Sequence, residues 1–268
     1  MKFSLEQLTV WEASPPEVVT IAAEAGYDAV SLYVQSPGYG IEVELDRDTP
    51  VRRETARRLR ESGIRLQNLE AYVFLPDTRI EDFTASIASG AELGAASATA
   101  LIFDPEEARV VERYGAFCDL AARHGLLANV EFIAHSKLPS LGAAERLVRA
   151  VSRDNAGLNI DLLPLIRSGG DPAQVAAIDP ALIRYAQISD GPLKSSPERA
   201  LTEGFDQREI PGEGEFQVGA FLAALPAGLT VGLEIPHKRL RDGGTAAAER
   251  AQIMLRAARS LVQLVKAG

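Results

Sequence analysis

Glu24-Ala25-Gly26-Tyr27-Asp28-Ala29-Val30-Ser31-Leu32-Tyr33 joins the end of a helical stretch, a glycine and a short apolar run. The arrangement recurs. Glu61-Ser62-Gly63 precedes Ile64 to Leu69, Glu92-Leu93-Gly94 precedes Ser97 to Ile102, and Arg123-His124-Gly125 precedes Leu126 to Phe132. Asn155-Ala156-Gly157 leads into Leu158-Asn159-Ile160-Asp161 as a fifth copy. Glycine is the residue that closes a helix in left-handed backbone without steric cost. A repeat of roughly thirty residues is the length of a strand-helix-strand unit. One copy describes any α/β protein, whereas five in register describe repeated βα units.

Working outward, the strands read as Phe3–Leu5, Ala29–Tyr33, Leu66–Glu70, Ala98–Ile102, Ala128–Phe132, Leu158–Asp161, Arg184–Ile188 and Thr230–Glu234. Helical stripes separate them. Val111, Tyr114, Cys118 and Ala121 share one face of a helix from Glu106 to His124, which makes Cys118 a core thiol. Asp48 or Thr49 before Pro50 starts another helix, with Val51, Thr55 and Leu59 inward. The last helix, Thr245 to Val265, turns Leu255, Ala258, Leu261, Val262 and Val265 inward. An open doubly wound sheet could also hold eight strands, but no Gly-x-Gly-x-x-Gly follows the first. The pattern predicts an α/β fold, a single-domain (β/α)8 TIM barrel over residues 1–268.

Composition narrows the function. With 28 basic and 37 acidic side chains the 268-residue chain carries a formal charge of −9, which disfavours nucleic acid as a partner. A single cysteine excludes an intramolecular disulfide framework. No apolar stretch reaches the roughly 20 residues of a membrane span, and Glu6 interrupts the start too early for a signal peptide. A cytoplasmic protein with no membrane partner is the expectation.

In such barrels chemistry sits at the C-terminal ends of the strands. Strands five to eight end in Asn129-Val130-Glu131-Phe132, Asn159-Ile160-Asp161, Gln187-Ile188-Ser189-Asp190 and Leu233-Glu234-Ile235. Each delivers an oxygen-bearing side chain. One strand-end carboxylate is ordinarily just solvated, and Asp190 could be a loop cap. Three carboxylates at one mouth would repel one another unless a cation balanced them, and a divalent metal is the simplest such cation.

These residues resemble the xylose-isomerase-like barrels known as sugar phosphate isomerases and epimerases. That family holds its metal with Glu, Asp, His and Glu from strands five to eight, matched here by Glu131, Asp161, Gln187 and Glu234. Pro211-Gly212-Glu213-Gly214-Glu215-Phe216 and Leu233-Glu234-Ile235-Pro236 are similar as well. The resemblance spans essentially the whole chain. Two positions depart from it: Gln187 stands where most relatives have histidine, and Pro164 where a histidine often follows the aspartate. An amide oxygen in place of imidazole favours Mg²⁺ or Mn²⁺ over Zn²⁺ or Co²⁺.

The resemblance implies a divalent-metal-dependent isomerase or epimerase of a sugar, sugar phosphate or related polyhydroxy ketone. Proton transfer would pass through an enediolate, with Glu131 and Glu234 moving the proton. If a β-hydroxyl leaves instead, the enzyme is a dehydratase of the dehydroshikimate type, and some such relatives carry glutamine at the Gln187 position. A non-catalytic binding barrel with a decayed site is a third reading, and a histidine-rich multi-zinc nuclease the last, since there are only three histidines. Relatives are often dimers or tetramers, so a homo-oligomer is expected from the resemblance alone.

His135 and His237 follow Glu131 and Glu234 closely and are candidate proton-transfer groups. His124 needs only a helix C-terminus. Lys238, Arg239 and Arg241 form a basic run that could hold an anionic substrate, or simply a solvated face. Lys194, Arg199 and Arg208 lie in the long, seemingly structureless segment Ser189 to Glu215 and are candidate clamps. Tyr33, Tyr72 and Phe103 could form an apolar wall for a sugar ring, or pack.

Overall fold

A computed structural model describes residues 1–36 and 42–267. Eight parallel strands close on themselves in chain order. They are β1 (Lys2–Glu6), β2 (Ala29–Tyr33), β3 (Arg65–Phe74), β4 (Ser97–Ile102), β5 (Leu127–Glu131), β6 (Ala156–Asp161), β7 (Ile183–Ile188) and β8 (Thr230–Leu233). Closure is direct, with Ser4 of β1 opposite Gly232 of β8, and Asp161, Gln187 and Gly232 lie level across β6, β7 and β8. The (β/α)8 barrel expected from the glycine repeat is the observed fold.

The repeat holds in four of its five copies. Gly26, Gly63, Gly94 and Gly125 take left-handed backbone with φ of 89°, 71°, 88° and 74°. Gly157 does not: it lies inside β6, where an added Cβ would stand 2.2 Å from Arg184 Cγ. Close approach, not helix termination, is what requires glycine there. The preceding helix, Leu141–Val151, ends instead on Ser152 with φ 49°.

An apolar layer binds barrel to helices. Tyr72 and Phe74 of β3 meet Phe83 and Phe117, with Tyr72 ring centroids 5.1 and 5.2 Å from the latter two. The Tyr114 hydroxyl donates to the carbonyls of Ala128 (2.8 Å) and Gly157 (3.2 Å), fixing the helix Glu107–Arg123 to β5 and β6. Cys118 is fully buried on that helix and its thiol is pushed up to about 12 by burial, as a core thiol should be. The outer ends of the stripes were less well read. Val111 is half-buried, while Val51 and Val265 are exposed because each stands at the end of its helix, beyond the reach of the barrel. Among the described residues no helix is long and apolar enough to cross a membrane.

Candidate active site

Polar side chains fill the barrel interior at its C-terminal end. Bonds between strands that are not neighbours can run only through that interior, and several do. The Gln187 amide nitrogen (β7) donates to Glu70 on β3 at 2.9 Å and to Glu6 on β1 at 3.2 Å. Its amide oxygen accepts from Asn159 Nδ2 at 2.7 Å, and the same nitrogen reaches Glu131 at 3.1 Å. The Tyr185 hydroxyl donates to Glu6, and Asn68 to Glu70 at 3.0 Å.

On the β6–β8 side, Asp161 Oδ1 accepts the Leu163 N–H at 3.0 Å, capping the short helix Leu162–Arg167. Asp161 Oδ2 meets Arg208 at 2.5 Å, and the other arm of that guanidinium meets Glu234 at 2.6 Å. Arg208 arrives from the segment after β7, which is not structureless as its sequence suggested. It contains the helix Pro197–Asp206, whose buried Glu203 is gripped by Arg167 (2.6 Å) and Arg199 (3.0 Å). Asp190 is the cap at its base, accepting the N–H groups of Gly191, Gly212 and Phe216 at 2.8, 2.8 and 2.9 Å.

Five carboxylates therefore share the mouth with one guanidinium: Glu6, Glu70, Glu131, Asp161 and Glu234 with Arg208. Burial, then mutual repulsion, raises Glu70 and Glu131 well above the usual carboxylate range, although part of Glu131 reaches solvent. Burial raises Glu234 to about 8 against the pull of Arg208. Burial also works against the charge on Arg208, but Asp161 and Glu234 outweigh it and keep the guanidinium charged. Ionised together, these five groups would carry more negative charge than Arg208 balances, and oxygen-only donors suit a hard divalent cation. Glu6, Glu70 and Glu234 place ligand oxygens within 4.8 Å of one another, the group among the described residues that could hold an ion as it stands. The residues fit a metal.

That trio is not the expected quartet. Glu131, Asp161, Gln187 and Glu234 do meet in one bonded network, but Asn159 bridges Glu131 to Gln187 and Arg208 bridges Asp161 to Glu234. Glu6 and Glu70 were missed, although Glu70 ends the third strand as read from sequence. Glu6 ends β1, one residue past the strand read from sequence, whereas Glu70 lies within β3, which runs on to Phe74.

Other candidates scatter. His237 is buried, its Nδ1 accepting the Leu240 N–H at 3.2 Å and its Nε2 lacking a hydrogen-bond partner, 3.6 Å from Glu209. Burial lowers its pKa. His135 and Lys194 are exposed in loops outside the cluster, and Lys238, exposed at the start of the short helix Lys238–Asp242, pairs with Asp242 at 2.7 Å. A cavity of about 360 Å³ beside the mouth is lined by Arg199, Arg208, Glu209, His237 and Lys238, among others. Arg241 bonds Asp206 at 2.6 Å and lies over the Trp11 ring at 5.2 Å, so its guanidinium is committed to these two groups. Tyr33 is buried with its backbone N–H on Gln7. Tyr72 belongs to the layer between barrel and helices, where Phe83 and Phe117 hold it, and is not a wall of the mouth.

A family model described as xylose isomerase-like TIM barrel matches residues 19–259. The chain belongs to that family. Solved structures agree on the fold. An IolI protein with a bound zinc atom is 20% identical over 99% of each chain, with a TM-score of 0.81. D-allulose 3-epimerase from Methylomonas sp. in complex with D-allulose is 17% identical over 97% of this chain and 96% of that one, at 0.71. The probable 3-DHS dehydratase AsbF from Bacillus anthracis is 16% identical over 97% and 100%, at 0.74. No curated protein sequence matches the chain. Solved structures with this fold thus include epimerases, a probable dehydratase and a protein with a bound zinc atom.

Proposed function

We propose that this protein is a divalent-metal-dependent isomerase or epimerase acting on a sugar, sugar phosphate or related polyhydroxy ketone in the cytoplasm. The observation that carries the reading is the convergence of Glu131, Asp161 and Glu234, with Glu6 and Glu70 behind them, on one mouth holding a single arginine. Glu131, Asp161, Gln187 and Glu234 would hold the ion once Asn159 and Arg208 give up the oxygens they now occupy, with Mn²⁺ or Mg²⁺ favoured. When bound, such an ion acts as a Lewis acid on a carbonyl and makes the neighbouring C–H acidic.

Glu131 and Glu234 carry the proton. Burial raises both above the usual carboxylate range, and a carboxyl that is a stronger base than usual is suited to taking and returning a proton. Removal by one and return by the other inverts a carbon. Return to the adjacent carbon interconverts aldose and ketose. His237 presents Nε2 to a substrate hydroxyl, since Nδ1 is occupied by the Leu240 N–H. Arg208 supplies a forked donor for substrate oxygens.

The test is solvent deuterium exchange at the α carbon of ketohexoses such as D-allulose. Glu131→Gln and Glu234→Gln should each slow exchange by about 10²-fold or more while metal content stays unchanged. Undiminished exchange in both variants overturns the roles. Gln187 supports a second reading, a dehydratase, because its amide stands where an isomerase relative would carry histidine. Product mass separates the two: the isomerase conserves it and the dehydratase loses one water.

A further inference from the structure

Arg208 is bound in a way that bears on metal entry. Asp161 has one oxygen committed to the Leu163 N–H, so an ion reaching this carboxylate must use Oδ2, the atom Arg208 holds at 2.5 Å. On Glu234 the guanidinium likewise holds Oε2, at 2.6 Å. A cation bound to both of these oxygens competes with the guanidinium that bridges them. Arg208 is, however, carried by a loop and not by a barrel strand. Its backbone is anchored independently of its side chain: its N–H reaches the Pro236 carbonyl at 3.3 Å, and Glu209 exchanges backbone bonds with Asp190 at 2.8 and 3.0 Å. Within the loop the side chain makes one further bond, its Nε donating to the Gly204 carbonyl at 3.1 Å, so the forked end turns by exchanging its two carboxylates while the loop stays.

A place to turn to adjoins it. Arg208 itself lines the cavity of about 360 Å³, together with Asp206, Glu209 and Asp242. Asp206 and Asp242 are taken by Arg241 and Lys238 at 2.6 and 2.7 Å. Among the described residues the Glu209 carboxylate makes long contacts, 3.5 Å to Arg199 and 3.6 Å to His237, and has capacity for a further donor.

We infer that Arg208 is a displaceable counter-cation: it holds Asp161 and Glu234 until a divalent ion takes them, then withdraws into the cavity beside Glu209. The inference rests on the metal half of the proposed function and not on the reaction assigned. It makes apparent ion affinity depend on the fraction of time the arginine leaves the carboxylates free.

Calorimetric titration of Mn²⁺ into metal-stripped protein tests it without any turnover assay. R208Q should bind Mn²⁺ about ten-fold tighter than the wild type, the gain expected if the arginine holds the site about nine-tenths of the time. Should R208Q fail to fold without metal, as judged by circular dichroism, R208K serves, since an ammonium keeps the charge but cannot fork across two carboxylates. A smaller gain in the same direction is expected of it. E209Q, which removes the receiving carboxylate, should weaken Mn²⁺ binding, an effect that a merely structural arginine would not produce. Equal or weaker binding by R208Q and R208K overturns the inference and leaves the metal reading intact. No saturable Mn²⁺ binding in any of these proteins overturns both.

Discussion

Gln187 is bound through both ends of its amide, and the neighbours fix which end is which. Asn159 offers an N–H₂ and needs an oxygen, while Glu6 and Glu70 offer oxygens and need a donor. Imidazole has one acceptor and at most one donor when neutral, and cannot reproduce this set. Gln187→His should therefore destabilise the metal-free protein by about 1–3 kcal/mol, read from urea denaturation, even though histidine is the residue the resemblance would place there. Gln187→Glu should cost more, since it sets a further carboxylate against two others. At this scale the sequence told half the story. Glu131, Asp161 and Glu234 were legible because strand ends in a barrel point at the mouth. Glu6 ends β1 and obeys the same rule on a strand not read for it, whereas Glu70 joins the cluster from within β3. Nothing in the spacing shows that Arg208, in a loop, would reach back to Asp161.

The segment after β7 makes that reach possible, and its geometry is set by a glycine. A Cβ on Gly214 would stand 2.3 Å from Asp190 Oδ1 and 2.5 Å from the Gly191 nitrogen, a backbone atom that cannot step aside. Gly214→Ala should cost about 1–3 kcal/mol and dislodge the base of the loop, seen as a lowered urea midpoint and faster proteolysis between 189 and 217. The helix inside this segment escaped the sequence reading because its Ser196 cap and Pro197 sit among turn formers, while its anchor is a distant residue, Arg167. Periodicity located all eight strands, since each is a buried run between turn signals. It misplaced the helix cap at Gly157, where the need for glycine comes from Arg184 across the sheet. Local pattern carries local structure, whereas contacts between distant segments leave no local mark.

Across the molecule, two groups of carboxylates are shifted in opposite directions. Glu70, Glu131 and Glu234 are raised, the last to about 8, above the unfolded value of about 4.3. Between those limits the folded metal-free protein binds more protons than the unfolded chain. Its stability is full below about pH 4.3 for these groups and is lost as pH rises toward 8. Asp104, buried between Arg109 and Arg113, is lowered to about 2, so its contribution is present above about pH 3.9 and is lost as pH falls through 2. Urea midpoints of stripped protein should thus decline from about pH 5 to about pH 8, and saturating Mn²⁺ should flatten that decline by replacing protons on the carboxylates. The chain's one tryptophan, Trp11, offers a way to watch this happen. Arg241 lies over its indole and is tied to Asp206, the last residue of the loop helix and part of the wall that would receive Arg208. Any rearrangement there shifts the charge above the ring, so the fluorescence of an unlabelled sample is an optical readout of ion arrival.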